Sequence, residues 1–199
     1  MGSVRLVAHT PDPERVLMDA VSECYHTEPR MAAVVKCVEL GDWSTIEHVA
    51  FVWELRGFSR SCLAQLTRHR IGWGYTVESQ RYVDKRDFDY VVPPSVAASS
   101  EARRRYEEVM AMLGDAYVYL RDTCGVRKED ARFLLPSAAT FTATVSNNLR
   151  SLLHFLKLRL DRHAQWEIRD LATQMRDLAA PLFPQLWPAV QDTLQRTDL

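Results

Sequence analysis

Apolar and polar positions along the chain fall into short blocks whose period changes repeatedly. Val4–Ala8 alternates with β-branched residues, the period of a strand, and Pro11 and Pro13 break it. Asp12 stands at the cap position of a helix running to about Tyr25, with Val16, Leu17, Ala20, Val21 and Cys24 on one face. Met31–Leu40 predicts a second, short helix, and Gly41–Ser44 a turn. After Glu47 and His48, a polar pair suited to a strand edge, Val49–Leu55 has strand length. Gly57 and Ser59 end that strand, with Ser59 placed to cap a helix to Arg68. A glycine-broken aromatic loop follows.

Ser99 or Ser100 caps a long helix from Glu101 to Thr123, and Gly125 suits its C-cap. Arg127–Leu134 predicts a short helix stopped by Pro136, and Ala139–Val145 a strand. The chain turns helical at Asn147 and Asn148, both cap residues. Leu149, Leu152, Leu153 and Leu156 then repeat at i, i+3, i+4 and i+7, the stripe of a helix facing a core. Asn148 and Arg159 lie on one border of that stripe, Arg150 and His154 on the other. Polar, ligand-capable groups on both borders suit a site shared between subunits. Asp161 is placed to cap a last long helix with Ala164, Ile168, Leu171, Met175 and Leu178 on its core face. Pro181, Pro184 and Pro188 break the tail into short pieces.

A length of 199 residues fits one domain, 1–199, and 47% apolar residues supply a core. The formal net charge of −1 gives no global basic field for nucleic acid. Arg103, Arg104 and Arg105 are a possible anion patch, but Glu101, Glu107 and Glu108 can balance them as a solvated face. Cys24, Cys37, Cys62 and Cys124 form no Cys-x-x-Cys pair, so neither a zinc site nor a redox motif is expected. They read as small buried hydrophobes. His163 and Glu167, four apart, are too few ligands for a metal. With no signal peptide and no apolar run of about 18 residues, the expectation is a cytoplasmic chain without a membrane span.

The chemistry concentrates in Gln65–Tyr82. Arg68 and Arg70 offer planar forks that match phosphate bidentately. Gly72 and Gly74 let backbone approach a ligand, and Trp73 and Tyr75 offer stacking faces. A solvated basic helix end would carry the same Arg-His-Arg run.

Arg68-His69-Arg70 followed by Ser79-Gln80-Arg81-Tyr82 resembles the signature of the flavin-dependent thymidylate synthases. The spacer here is one residue longer than the family's seven. The run Asn148-Leu149-Arg150-Ser151-Leu152 through Phe155-Leu156 and Leu158-Arg159 to His163-Ala164-Gln165-Trp166-Glu167-Ile168 resembles a second family block. Arg132-Phe133-Leu134-Leu135-Pro136 resembles a third. Of the family's His-x-Thr-x-x-Glu-His pattern only Ser44, Glu47 and His48 remain, with Asp42 at the first His position.

The resemblance implies an α+β fold, a small, mostly antiparallel sheet packed against a helical layer, and a homotetramer binding FAD across subunit interfaces. It implies reductive methylation of a uridylate at C5, with methylenetetrahydrofolate giving the carbon and NADPH re-reducing the flavin. Gln65, Arg68, Ser79, Arg81 and Arg132 match nucleotide-binding positions. Ser44, Arg68, His69, Arg70, Glu78, Asn148, Arg150 and His154 match flavin positions, His154 standing where Asn is common. The longer spacer leaves Thr76, Val77 and Glu78 as alternatives for one contact. Arg159 matches the residue that polarises the uracil amide and also contacts the nucleotide. dUMP and UMP both remain open as substrate, UMP in the manner of a nucleoside-antibiotic pathway. The rival class is a non-catalytic RNA-binding protein using Arg103–Arg105, the loop arginines, Trp73 and Tyr75.

Overall fold

The N-terminal alternation forms strand β1, Ser3–His9. Described residues 2–195 of the computed structural model continue through helices α1, Pro13–Tyr25, and α2, Met31–Leu40. A 3₁₀ segment over Trp43–His48 leads into β2, Ala50–Ser59, then α3, Arg60–Leu66, and β3, Trp73–Val77. Next come α4, Pro94–Ala97, α5, Ser100–Val118, and α6, Lys128–Ala131. Strand β4, Thr140–Asn148, runs directly into α7, Leu149–Arg159, followed by α8, Trp166–Ala179, and α9, Trp187–Gln195. The fold is α+β.

The strands form one sheet in the order β1-β2-β4-β3. Its pairings are antiparallel: Thr10 N–H donates to the Ala50 carbonyl, Leu149 to Val49, and Glu78 to Thr142.

Several boundaries differ from expectation for local reasons. Strand β2 does not stop at Gly57. That residue takes φ +71°, and burial, which alternates through Phe51, Trp53 and Leu55, resumes at Phe58. A glycine in this conformation bends a strand and shifts its register without ending it. The aromatic loop after Arg70 is in part a strand, because Trp73 and Tyr75 sit two apart and share one face. Asp12 precedes α1 as expected but is left-handed at φ 42°, and its side chain makes no cap bond. Asp161 caps no helix. It accepts from the backbone N–H of His163, while Gln165 caps α8 through the N–H groups of Glu167 and Ile168. Glu47 and His48 lie in the 3₁₀ segment, not at a strand edge. Pro188 sits inside the first turn of α9, where its missing N–H costs nothing, so the tail is helical. Cys37 and Cys62 are buried, whereas Cys24 and Cys124 are exposed.

The chain groups into two compact units. One comprises residues 2–3, 55–65 and 76–143. Its core includes Phe58, Tyr117 and Phe141, each 1% exposed or less. Ser99 caps α5 by accepting from Ala102 N–H. Arg103, Arg104 and Arg105 pair with Glu107 and Glu108 along that exposed helix, so they form a solvated face.

The other unit comprises, among the described residues, 4–54, 66–75 and 144–195. Leu149, Leu152, Leu153 and Leu156 of α7 are at most 1% exposed, as their period predicts. Burying each such side chain is worth about 1.5–3 kcal/mol. Trp53 lies stacked on Phe51 and donates its buried Nε1–H to Asn147 Oδ1 at 3.0 Å. That bond removes the cost of burying the indole N–H and pins the end of β4. No helix among the described residues is long and apolar enough to cross a membrane.

Candidate functional site

The end of β4 and the turn before β3 converge on the N-terminus of α7. Asn148 Oδ1 accepts from Ser151 N–H at 2.8 Å, the capping bond its residue type predicts. Ser151 Oγ donates to the Ile71 carbonyl at 2.8 Å. Between them lies Gly72 at φ +71°, where an added Cβ would meet Ser151 Oγ at 2.1 Å. Only glycine fits, for its conformation and for the space.

Arg68, His69 and Arg70 leave the end of α3 in a turn closed by His69 N–H to the Leu66 carbonyl. The Tyr75 hydroxyl lies 2.6 Å from the His69 carbonyl and 3.0 Å from that of Leu66. Burial pushes the Tyr75 phenol well up, which keeps it a donor. Trp73 and Tyr75 stack on each other at 5.8 Å and 8°. Trp73 also meets Phe155. Both rings are half-buried, and Trp73 also lines the cavity described below.

His69 is 7% exposed and sets its ring edge-on to Phe155 at 4.9 Å. Arg159, at the last position of α7, donates Nε–H to His69 Nε2 at 3.0 Å. The imidazole pKa is held down at about 4, first by burial, then by the charges of Arg159, His154 and Arg68. A neutral ring that accepts at Nε2 carries its proton on Nδ1.

Around these contacts opens a cavity of about 1060 Å³, lined by Arg68, His69, Arg70, Gly72, Asn148, Arg150, Ser151, His154 and Arg159 among others. Glu47 also lines it and is ion-paired with Arg150. Four guanidiniums facing one carboxylate leave the cavity positive. Together with the capped helix start it suits an anion carrying more than one charge.

The model of the family described as thymidylate synthase complementing protein matches residues 5–185. The chain belongs to this family. The flavin-dependent thymidylate synthase of Nitratidesulfovibrio vulgaris is 38% identical over 208 aligned residues, covering 92% of this chain and 84% of that protein. The enzyme of the same name from Geobacter sulfurreducens is 41% identical over 198, with the same coverage. A crystal structure of thymidylate synthase X from Helicobacter pylori with FAD and dUMP superposes with a TM-score of 0.73. It covers 98% of this chain and all of that one, and at 23% identity the likeness speaks to the fold.

Of the positions matched to the thymidylate synthase family by sequence, the cavity gathers Arg68, His69, Arg70, Asn148, Arg150, His154 and Arg159. The two borders of the α7 stripe therefore open on one cavity. Ser44 is not in its lining; its hydroxyl donates to Asp42 at 3.1 Å. Gln65, Glu78, Ser79, Arg81 and Arg132 belong to the other unit. There Glu78 pairs with Lys85. Ser79 Oγ accepts from Arg81 N–H, and Arg81 reaches Glu129 at 3.1 Å. Arg132 Nε–H donates to the Glu129 carbonyl. Arg60 donates to the Glu78 carbonyl, its guanidinium pKa lowered by burial. Sequence reasoning missed Lys85, Glu129 and Arg60 here, and Ser151 in the cavity. The signal for Ser151 was present, since Ser follows the Arg in the family's second block.

Proposed function

We propose that the chain is a flavin-dependent uridylate C5-methyltransferase that methylates dUMP, with residues 1–199 working as one domain. The observation that carries this reading is the cavity in which Arg68, His69, Arg70, Asn148, Arg150 and Arg159 meet, all of them family positions. Its residues fit FAD by charge: the four guanidiniums match a pyrophosphate, and Gly72 keeps the turn seated on Ser151 at the cavity wall. Arg68, His69, Arg70, Asn148, Arg150 and His154 would hold the flavin.

When bound, the reduced flavin supplies the hydride that turns a methylene from methylenetetrahydrofolate into a methyl group, and NADPH restores it. The protein binds, orients and polarises. Uracil C5 is a weak nucleophile, and a guanidinium set against the N3–C4 amide draws density through the ring onto C5. Arg159 takes that role without giving up its proton. Gln65, Ser79, Arg81 and Arg132 bind the nucleotide, and Arg81 and Arg132 converge on Glu129.

The assembly proposed is a homotetramer. Ile71 is 91% exposed and Leu158 47% exposed, both at the cavity lining, which supports a second copy covering them. An RNA-binding role is disfavoured because Arg103–Arg105 are paired with neighbouring glutamates and the net charge is −1. The test is direct. Purified protein should be yellow, release FAD on denaturation, scatter light at about four times 22.9 kDa, and form dTMP anaerobically from dUMP, methylenetetrahydrofolate and NADPH. Methylation of UMP in preference to dUMP would reassign the sugar. Colourless protein that takes up no FAD would end the flavin reading.

A further inference from the structure

We propose that His69 is a positioning residue for Arg159: by accepting its Nε–H, the imidazole fixes the guanidinium plane and leaves the Nη edge free to meet the substrate. The proposal rests on the role given to Arg159 above and assigns what aims it.

Arg159 closes α7, and a charge at a helix C-terminus is favourable in many orientations. The macrodipole therefore cannot aim the group. The contact to His69 can, because it uses the one N–H that lies on the inner edge of the fork. Among the described residues the Nη groups of Arg159 make no hydrogen bond. Its fork is thus held at one edge and open at the other.

His69 is itself restrained from several sides. Its ring stands edge-on to Phe155 at 85°, with His154 at 6.2 Å and Trp73 at 6.1 Å. Its backbone is tied through N–H to Leu66 and through its carbonyl to Tyr75. A ring so packed loses little further freedom on making a bond, so the restraint passes to Arg159.

The contact requires a neutral imidazole, because a protonated ring has no acceptor to offer. The charged and titratable groups facing it are Arg159 and His154 from α7 and Arg68 from its own segment. Glu47, the acid in the cavity lining, is taken up by Arg150. The surroundings therefore oppose protonation, and the acceptor persists at neutral pH. His69→Gln puts an amide oxygen close to the position of Nε2. His69→Phe fills the space and offers no acceptor.

The experiment uses flavin-free protein labelled with ¹⁵N at arginine and histidine. In the unmutated protein the imidazole spectrum should show the Nδ1–H tautomer from pH 5.5 to 8. The Arg159 Nε–H should exchange more slowly than that of an exposed arginine, keep its protection in His69→Gln, and lose it in His69→Phe. With flavin bound, His69→Phe should lower kcat about a hundredfold with a smaller change in nucleotide KM, and His69→Gln should recover at least about tenfold of that. A merely structural role would not distinguish the two variants in this way. An Nε2–H tautomer in the unmutated protein overturns the proposal without any variant, so a variant that fails to fold does not shield it. Equal protection of Arg159 in His69→Phe overturns it as well. The spectra need no substrate, so failure of the contact is separable from failure of the polarising role, which Arg159→Lys turnover reads independently.

Discussion

Gly72 and Ser151 share a space that holds only one side chain: a Cβ on Gly72 would lie 2.1 Å from Ser151 Oγ and 3.3 Å from Asn148 Nδ2. The turn after Arg70 is therefore pressed onto the start of α7, and the two halves of the cavity wall are mutually registered there. Gly72→Ala meets two obstacles, the left-handed φ and the contact, and should cost at least about 1 kcal/mol. The double variant Gly72→Ala/Ser151→Ala relieves the contact but not the backbone strain. We expect its melting temperature to fall between those of the unmutated protein and Gly72→Ala. Flavin absorbance should be low in Gly72→Ala, since the added Cβ pushes the turn off Ser151 and displaces the cavity wall.

At Asn148, capping and ligand binding can be separated. The side-chain oxygen caps α7, while the amide nitrogen lies 3.3 Å from where a Cβ on Gly72 would stand. Asn148→Ala should lose about 1 kcal/mol of stability. Asn148→Asp keeps a capping oxygen and should lose almost none. Flavin occupancy should fall in both, because a carboxylate in place of the amide repels a pyrophosphate. Denaturant titration of flavin-free protein set beside flavin absorbance reads the two effects apart. Full occupancy in Asn148→Asp would remove Asn148 from the flavin site.

Much of this arrangement was legible because it is local. The leucine stripe of α7, its Asn148 cap and the Ser99 cap follow from residue type and period over a few positions. In sequence, strand β3 resembles a loop because Gly72 precedes it and Gly74 interrupts it, although Trp73 and Tyr75 alternate as a strand requires. Gly57 looks like a stop because a glycine that bends a strand and one that ends it are alike in sequence. The contacts that aim the chemistry were not legible at all. Arg159 meets His69 across 90 residues, and Arg150 meets Glu47 across 103. No periodicity relates such pairs, and a family motif names positions without saying which of them touch.

Acid should weaken the fold through His69. Its folded pKa, about 4, lies below its ordinary value of 6.5. Between those values the unfolded chain binds the proton and the folded one does not. The group's stabilising contribution is therefore complete above about pH 6.5 and is lost as the pH falls toward 4, at no more than about 1.4 kcal/mol per pH unit. Urea unfolding between pH 4 and 7 should show a slope that His69→Gln reduces. An identical slope in that variant would mean that His69 titrates normally.

The decisive substitution for the chemistry is Arg159→Lys. The charge remains, and an ammonium can still donate to His69 Nε2, so the local fold should hold. What is lost is the planar fork, because one ammonium cannot keep an Nε edge on His69 and an Nη edge on the uracil. Flavin should still bind, since Arg70, Asn148 and Arg150 are untouched, and NADPH should still reduce it. The step expected to fail is reoxidation of reduced flavin by dUMP and methylenetetrahydrofolate, followed anaerobically in a single turnover. A contact that strengthens in the transition state is worth about 2.7–4 kcal/mol by analogy with an oxyanion-hole donor, roughly a hundred- to thousandfold in rate. Reoxidation at the unmutated rate with saturating nucleotide would make Arg159 a binding contact or a helix-end charge and place the polarising group elsewhere in the cavity. Arg68 would then be the next to test, because it lines the same cavity and matches a nucleotide-binding position.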